Sequence, residues 1–431
     1  MRRILLIAAA MMMVLAAGVF AAPVEVTFWS SMTPPTSDWT QAIVDAYNSS
    51  QKAVHVTMTL VPGDMTDISK LMTAVRGGTG PDVYYLDRFT TAERAAAGVL
   101  EDMTPYIKKA DPNMASKYLP FAWAESSFRG KTWSLPFDTD TRALYYRTDL
   151  LSQAGIDYSA LDVNNGPVTV DQLKEIADQY NQTDSNGDYT QIGFLPVPNQ
   201  GWHYTWGFAF GGKFADLKAG KVTPTDPGVV AAFQWLYDYY KDLGPQKVRT
   251  FLSTYAPPNS PPDQDTFITG KVPIVVTGDW EIATLKQYAP DAKWAVTFIP
   301  IPKAGAKPST WAGGWSFAIP KGAKHPAQGF DFCAFIAGPV GQKMYTLSST
   351  HLPTIKALMD DTSLFPGQHF FFRQTLSFAS SRPAIPVGAL YWNELTAAMN
   401  DVIDNVATPQ QALQKVYNNV QPQLNKFLPL Q

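Results

Sequence analysis

The residues with chemistry to offer gather in a few short stretches rich in carboxylates, guanidinium groups and tryptophan. Gly278-Asp279-Trp280 follows the β-branched run Val272–Val276 at once, so a carboxylate and the largest aromatic side chain leave one strand together. Asp87-Arg88 closes the apolar run Val83–Leu86. A carboxylate accepts from two hydroxyls and a guanidinium donates in a fixed fork. Asp138 and Asp140 alternate, which puts both on one face of a strand, with Arg142 two residues on. Asn199–Gly212 (NQGWHYTWGFAFGG) crowds Trp202 and Trp206 among His203, Tyr204 and Phe208, and a stretch so aromatic is costly to leave wet: it packs as core or walls a groove. Trp311–Ser316 and Tyr391-Trp392 add two further aromatic segments, and Trp29 ends the alternating segment Val24–Trp29. Tryptophan and tyrosine offer an apolar face and one hydrogen-bonding tip. A sugar ring has the matching chemistry, apolar C–H faces with hydroxyl edges. The candidate ligand contacts are therefore Trp29, Asp87, Arg88, Asp138, Asp140, Trp202, Trp206, Asp279, Trp280, Trp315 and Trp392. Two chemistries stay open. Paired carboxylates in a cleft also suit a glycosidase, with Asp138 or Asp140 set against Asp279. Trp280 itself is either a stacking wall or a plug of the core.

Other chemistries lack their residues. Asp184–Asp188 has the first spacings of a calcium loop, but Tyr189 stands where glycine is required and Leu195 where the bidentate glutamate belongs, so a hairpin turn is expected. The five histidines are scattered, with no zinc spacing, and there is no phosphate loop or dinucleotide fingerprint. Gly314–Ala318 matches only part of a nucleophile elbow. No catalytic residue, metal or cofactor is expected.

Composition narrows the class. Aromatic residues make up 13% of the chain and charged residues only 16%, against roughly 25% charged in an average soluble protein. Arg2 and Arg3 precede the apolar run Ile4–Phe20, and Val19-Phe20-Ala21 supplies small residues for cleavage. Residues 1–21 are thus expected to be a secretory signal peptide, with the mature protein soluble in a periplasm. Its removal takes the formal charge from −3 to −5, which argues against a nucleic-acid partner. Cys333 is the only cysteine, so neither an intramolecular disulfide nor a lipid-attachment cysteine is available. About 410 mature residues predict two lobes or more.

The elements that must position these groups read as alternating strands and helices. Strands are expected over Val24–Trp29, Val54–Val61, Val83–Leu86, Trp133–Phe137, Ala143–Tyr146, Val272–Val276, Trp294–Ile301 and within Trp311–Ile319. Helices are expected over Trp39–Tyr47, Ile68–Val75, Thr91–Ala97, Val170–Tyr180, Val229–Tyr240, Leu395–Val406 and Pro409–Phe427, with Phe267-Ile268 ending another at Gly270. Strand–helix alternation predicts an α/β fold with parallel sheets, and such sheets deliver ligand groups at the carboxyl ends of their strands.

Four segments in order resemble one family. Gly80-Pro81-Asp82-Val83, Trp133–Pro136, Tyr145–Leu151 and Phe267–Trp280 are similar to the extracellular solute-binding proteins of ABC importers, in the carbohydrate-binding group of maltose-binding type. Arg147-Thr148 departs from the Asn-Lys usual there. The resemblance implies two α/β lobes, each a mainly parallel sheet flanked by helices, joined by three crossing segments around a ligand cleft. The N-lobe would span 22–137 and 300–335, the C-lobe 138–299 and 336–431. It implies a monomer that binds a mono- or oligosaccharide, with stacking from Trp280, from Trp202 or Trp206, and from Trp392, and hydrogen bonds from Asp87-Arg88. The partner implied is a membrane permease. A secreted glycoside hydrolase and a receptor feeding a chemosensor are the alternatives.

Overall fold

A computed structural model describes residues 22–61, 63 and 67–430. The expected signal peptide lies outside the described residues. The first sheet runs in the order Val54–Leu60, Val24–Ser30, Val83–Asp87, Trp315–Ala318, Ser134–Pro136. Its first three strands are parallel, and Trp315–Ala318 enters antiparallel to both of its neighbours. Val26, Phe28, Val83, Tyr85, Phe137 and Phe317 bury one face of it against the helix Pro326–Ile336 and against Tyr345 of the helix Pro339–Ser349. Cys333 lies in this core, where burial pushes its thiol pKa up.

A second core forms around the strand Arg142–Arg147, flanked by Ile274–Gly278 and Trp294–Thr297. Both ladders here are antiparallel, and the parallel pairing is confined to isolated bridges, Phe194 to Ile274 and Thr169 to Ile301. This corrects the expectation of a mainly parallel sheet in each lobe: β-branched runs report burial on two faces but not the direction of the partner strand. The helices Val170–Asp178, Pro227–Leu243, Gly388–Ile403 and Pro409–Leu424 cover this core. Thr169 and Thr408 start two of them with capping boxes closed by Gln172 and Gln411.

The chain passes between the two sheets at 137–141 and again at 298–314, and a third passage leads from Pro339–Ser349 to Gly388–Ile403. Short ladders tie these passages together: Asp138–Thr139 with Leu352–Pro353, and Thr310–Ala312 with Ala379–Ser381. Phe267 and Ile268 lie in a turn rather than a helix. Arg147 explains it: its guanidinium donates to the carbonyls of Phe267 (2.9 Å) and Ile268 (3.0 Å) while pairing with Asp149. Asp184–Asp188 is the hairpin turn between Gln182–Thr183 and Tyr189–Gln191, as its residues predict.

Candidate functional site

The cavity between the two cores is built by strand ends. Val83–Asp87 ends on Asp87, whose two oxygens accept from Arg382 Nη1 at 2.9 Å and Nη2 at 2.6 Å. The Arg382 guanidinium lies 3.9 Å over the Phe89 ring and 4.8 Å from that of Trp311. In the first passage Asp140 accepts from the Gly313 amide at 2.6 Å and pairs with Arg142. Arg142 also donates to Gln200 Oε1 at 3.2 and 3.3 Å, and its guanidinium sits 3.7 Å over the Trp311 ring and 5.3 Å from the Trp280 ring. Both cavity arginines are thus neutralised by a carboxylate and flattened against indoles. The result is a wall of paired charges between aromatic faces, able to donate and accept hydrogen bonds without presenting a net charge.

A cavity of about 450 Å³ opens onto these groups, within the size range of small-molecule sites. Asp87, Asp140, Trp202, Trp280, Trp315 and Trp392 of the candidate set line it together with Phe89, Arg142, Gln200, Trp311, His351 and Arg382. Trp392 connects the wall, with ring centroids 5.4 Å from Trp202, 6.0 Å from Trp311 and 6.1 Å from Phe89. Trp280 is held by a close approach. A Cβ on Gly278 would fall 2.1 Å from the Trp280 ring, so glycine there lets the indole fold back over the strand end.

Five candidates stand outside the cavity wall, each for a local reason. Arg88 is fully buried and spends its donors inside: Nε on Glu125 (2.7 Å), Nη1 on the Asp138 carbonyl (2.5 Å) and Nη2 on the Gly313 carbonyl (2.5 Å). It staples two passages together rather than offering a fork to ligand. Gly314 makes room for it: φ is +127°, and a Cβ would meet Asp138 O at 2.3 Å and Arg88 Nη1 at 2.6 Å. Asp138 turns Oδ1 to the Trp315 amide at 2.6 Å, behind the wall. Asp279 is wholly buried, directed at His351. Trp206 is core, donating to the Pro196 carbonyl at 3.1 Å and packed on Phe194 and Trp235. Trp29 lies on the opposite face of its strand from Val26 and Phe28, beside a separate recess with Lys70 and Tyr84.

Sequence reasoning missed His351, Phe89 and Gln200. His351 is brought in by the pairing of Leu352–Pro353 with Asp138–Thr139, a contact without a local signal. Its Nδ1 is 3.4 Å from Asp279 Oδ1 and 3.8 Å from Asp138 Oδ2, close enough to pair charges, though neither contact is aligned as a hydrogen bond. Burial opposes a charge on the ring, but Asp279, Asp138 and Asp140 outweigh it and hold the His351 pKa up at about 9. Burial raises Asp138 to about 6 against the pull of His351, and raises Asp279 likewise. Burial also works against Asp140, yet Arg142 and His351 keep it below its ordinary value.

Two α/β cores joined by three passages around an aromatic cavity define a two-lobed binding-protein fold. The chain belongs to the bacterial extracellular solute-binding protein family, whose model matches residues 42–364. A maltotriose-binding protein of Pyrococcus abyssi is 23% identical over 383 residues, covering 88% of this chain and 77% of that protein. A galactooligosaccharide-binding protein of Bacillus subtilis is 20% identical over 362 residues, covering 80% and 78%. Among solved structures, CpMnBP1 with mannotriose bound superposes with a TM-score of 0.81 at 25% identity, covering 92% of this chain and all of that one (100%). Maltose-bound MalE3 of T. maritima gives 0.69 at 22% identity, covering 94% of this chain and 100% of that one.

Proposed function

We propose that this chain captures a sugar or oligosaccharide in the cavity and delivers it to the permease of an ABC importer. The observation that carries this reading is the cavity wall itself: indoles of Trp202, Trp280, Trp315 and Trp392 line one cavity with the Asp87–Arg382 and Asp140–Arg142 pairs. Flat apolar faces suit C–H faces of a pyranose, and neutralised forks suit its hydroxyls. The saccharides named for its relatives and structural neighbours belong to the same class. In this reading the lobes follow the two cores, and the first extends past the boundary expected at 335, because the helix Pro339–Ser349 packs on the first sheet through Tyr345; ligand shifts the population toward closure by its greater affinity for the closed form. The protein works as a free periplasmic monomer after signal-peptide removal, without a cofactor and without turning over its ligand. Asp138 and Asp279 lie behind the wall and face His351, a poor position from which to reach a glycosidic oxygen.

A thermal-shift panel tests this. Ligand at 100 times its Kd stabilises by about 2.7 kcal/mol when it binds only the folded state. At least one of mannobiose, mannotriose and maltotriose should raise the melting temperature, while amino acids and short peptides should leave it unchanged. A response confined to peptides or amino acids would assign the cavity to another solute. Overnight incubation should leave the oligosaccharide's chain length unchanged by chromatography, and protein-dependent shortening would favour a glycosidase.

A further inference from the structure

His351 is framed with unusual completeness for a residue outside the recognisable motifs. Thr350 before it is left-handed (φ 60°), and its hydroxyl donates to the Asp279 carbonyl at 2.8 Å. The His351 amide donates to Ser349 Oγ at 3.2 Å, and the next two residues form the ladder with Asp138–Thr139. One ring face is stacked on Tyr345, with centroids 5.4 Å apart and planes 7° apart, and Trp280 stands 5.2 Å away. Both carboxylate oxygens of Asp279 and Oδ2 of Asp138 are buried without a hydrogen-bond partner among the described residues. Buried carboxylates require a compensating charge. Arg142 and Arg382 are committed to Asp140 and Asp87, so the cation facing Asp138 and Asp279 is the ring of His351 through Nδ1. His351 nevertheless lines the cavity. With Nδ1 turned to the carboxylates, the opposite ring nitrogen, Nε2, is the one left for a ligand.

We infer that His351 is a further ligand-contacting residue of this site, a cationic donor whose Nε2–H meets a sugar hydroxyl and links sugar affinity to protonation. The inference rests on the sugar-binding reading and adds to it a residue and a pH dependence. The groups around the ring agree in sign. Asp279 faces it from the end of Ile274–Gly278, and Asp138 and Asp140 act on it from the first passage, with Asp140 paired in turn to Arg142 at the start of Arg142–Arg147. Tyr345, on the helix Pro339–Ser349, has its hydroxyl pKa raised by burial and stays neutral. His369, on His369–Thr375, is pushed down to about 4 by burial, with His351 also lowering it, and is neutral as well. Three carboxylates thus act on His351 against the cost of its burial.

The test is calorimetric titration of the full protein with mannobiose and maltotriose from pH 6 to pH 10, with the histidine ring nitrogens followed by NMR at pH 7. Affinity should be level to about pH 8 and fall by about tenfold or more by pH 10, the loss expected for one charge-assisted hydrogen bond. The Nε2 resonance of His351 should move on saccharide addition while Nδ1 stays in place. His351→Gln leaves two buried carboxylates unpaired, so the double variant His351→Gln/Asp279→Asn is the safer one: it should bind more weakly and with no pH dependence between pH 8 and pH 10. A saccharide that binds with level affinity throughout and leaves the His351 resonances unmoved would overturn this inference and leave the sugar reading standing. No binding of either saccharide at any pH, with none in the thermal-shift panel, would remove both.

Discussion

Replacing Trp280 by alanine separates a cavity wall from a core plug. The indole is folded over Gly278, with Arg142 at 5.3 Å and His351 at 5.2 Å, and its remaining surface lines the cavity. A sugar ring stacked there would bury roughly 100 Å² of the indole, which at about 25 cal/mol/Å² is about 2–3 kcal/mol. Affinity should therefore fall roughly 30–150-fold. The unliganded fold should lose less than the about 3–5 kcal/mol that truncating a core tryptophan costs, since one face of Trp280 is already open. Calorimetric titration with the best-binding saccharide and denaturant melts, run on the same preparation, measure both losses. Near-native affinity with a collapsed melting midpoint would refute the reasoning and take Trp280 out of the site.

Other substitutions probe neighbouring parts of the account. Gly278→Ala places a Cβ 2.1 Å from the Trp280 ring, so it should weaken saccharide binding at least tenfold by displacing the indole; unchanged affinity would mean that the ring's position does not matter. Trp206→Ala should do the reverse, costing about 3–5 kcal/mol in denaturant melts while leaving saccharide affinity within a few-fold, because Trp206 is fully buried away from the cavity. Stability should also depend on pH through His351, whose pKa rises from 6.5 to about 9 on folding. The folded state holds that proton more tightly, so the stabilisation is complete below pH 6.5 and is lost as pH rises through 9. The melting temperature should drop between pH 7 and pH 10, and a level profile would mean that the Asp138–His351–Asp279 cluster is uncharged.

How much of this was legible in the sequence depends on the range of the interaction. Strand ends were legible because a β-branched run leading to Trp280, or an apolar run followed by Asp87, carries its site residue with it. The choice between Trp202 and Trp206 was not, because it turns on one helix start. The helix is His203–Ala209, so Trp202 is its extended N-cap (ψ 166°) and reaches the cavity, while Trp206 lies one turn in and packs on the core. Arg88 looked like a donor to ligand because its type and position suit that role. What decided against it was the demand of three backbone and side-chain acceptors from remote segments, Glu125, Asp138 and Gly313. Trp29 was betrayed by period two: with Val26 and Phe28 inward, residue 29 must face the other side. His351 had no local signal at all, since its neighbours arrive from residues 138, 279 and 280.

The central claim is that the tryptophan-walled cavity holds a sugar. A crystal structure of the protein with the saccharide that gives the largest thermal shift tests it most directly. The account predicts a pyranose ring lying flat on Trp280 or Trp392, with hydroxyls on the Asp87–Arg382 and Asp140–Arg142 pairs. A saccharide bound elsewhere, with those indoles and both ion pairs untouched, would contradict it.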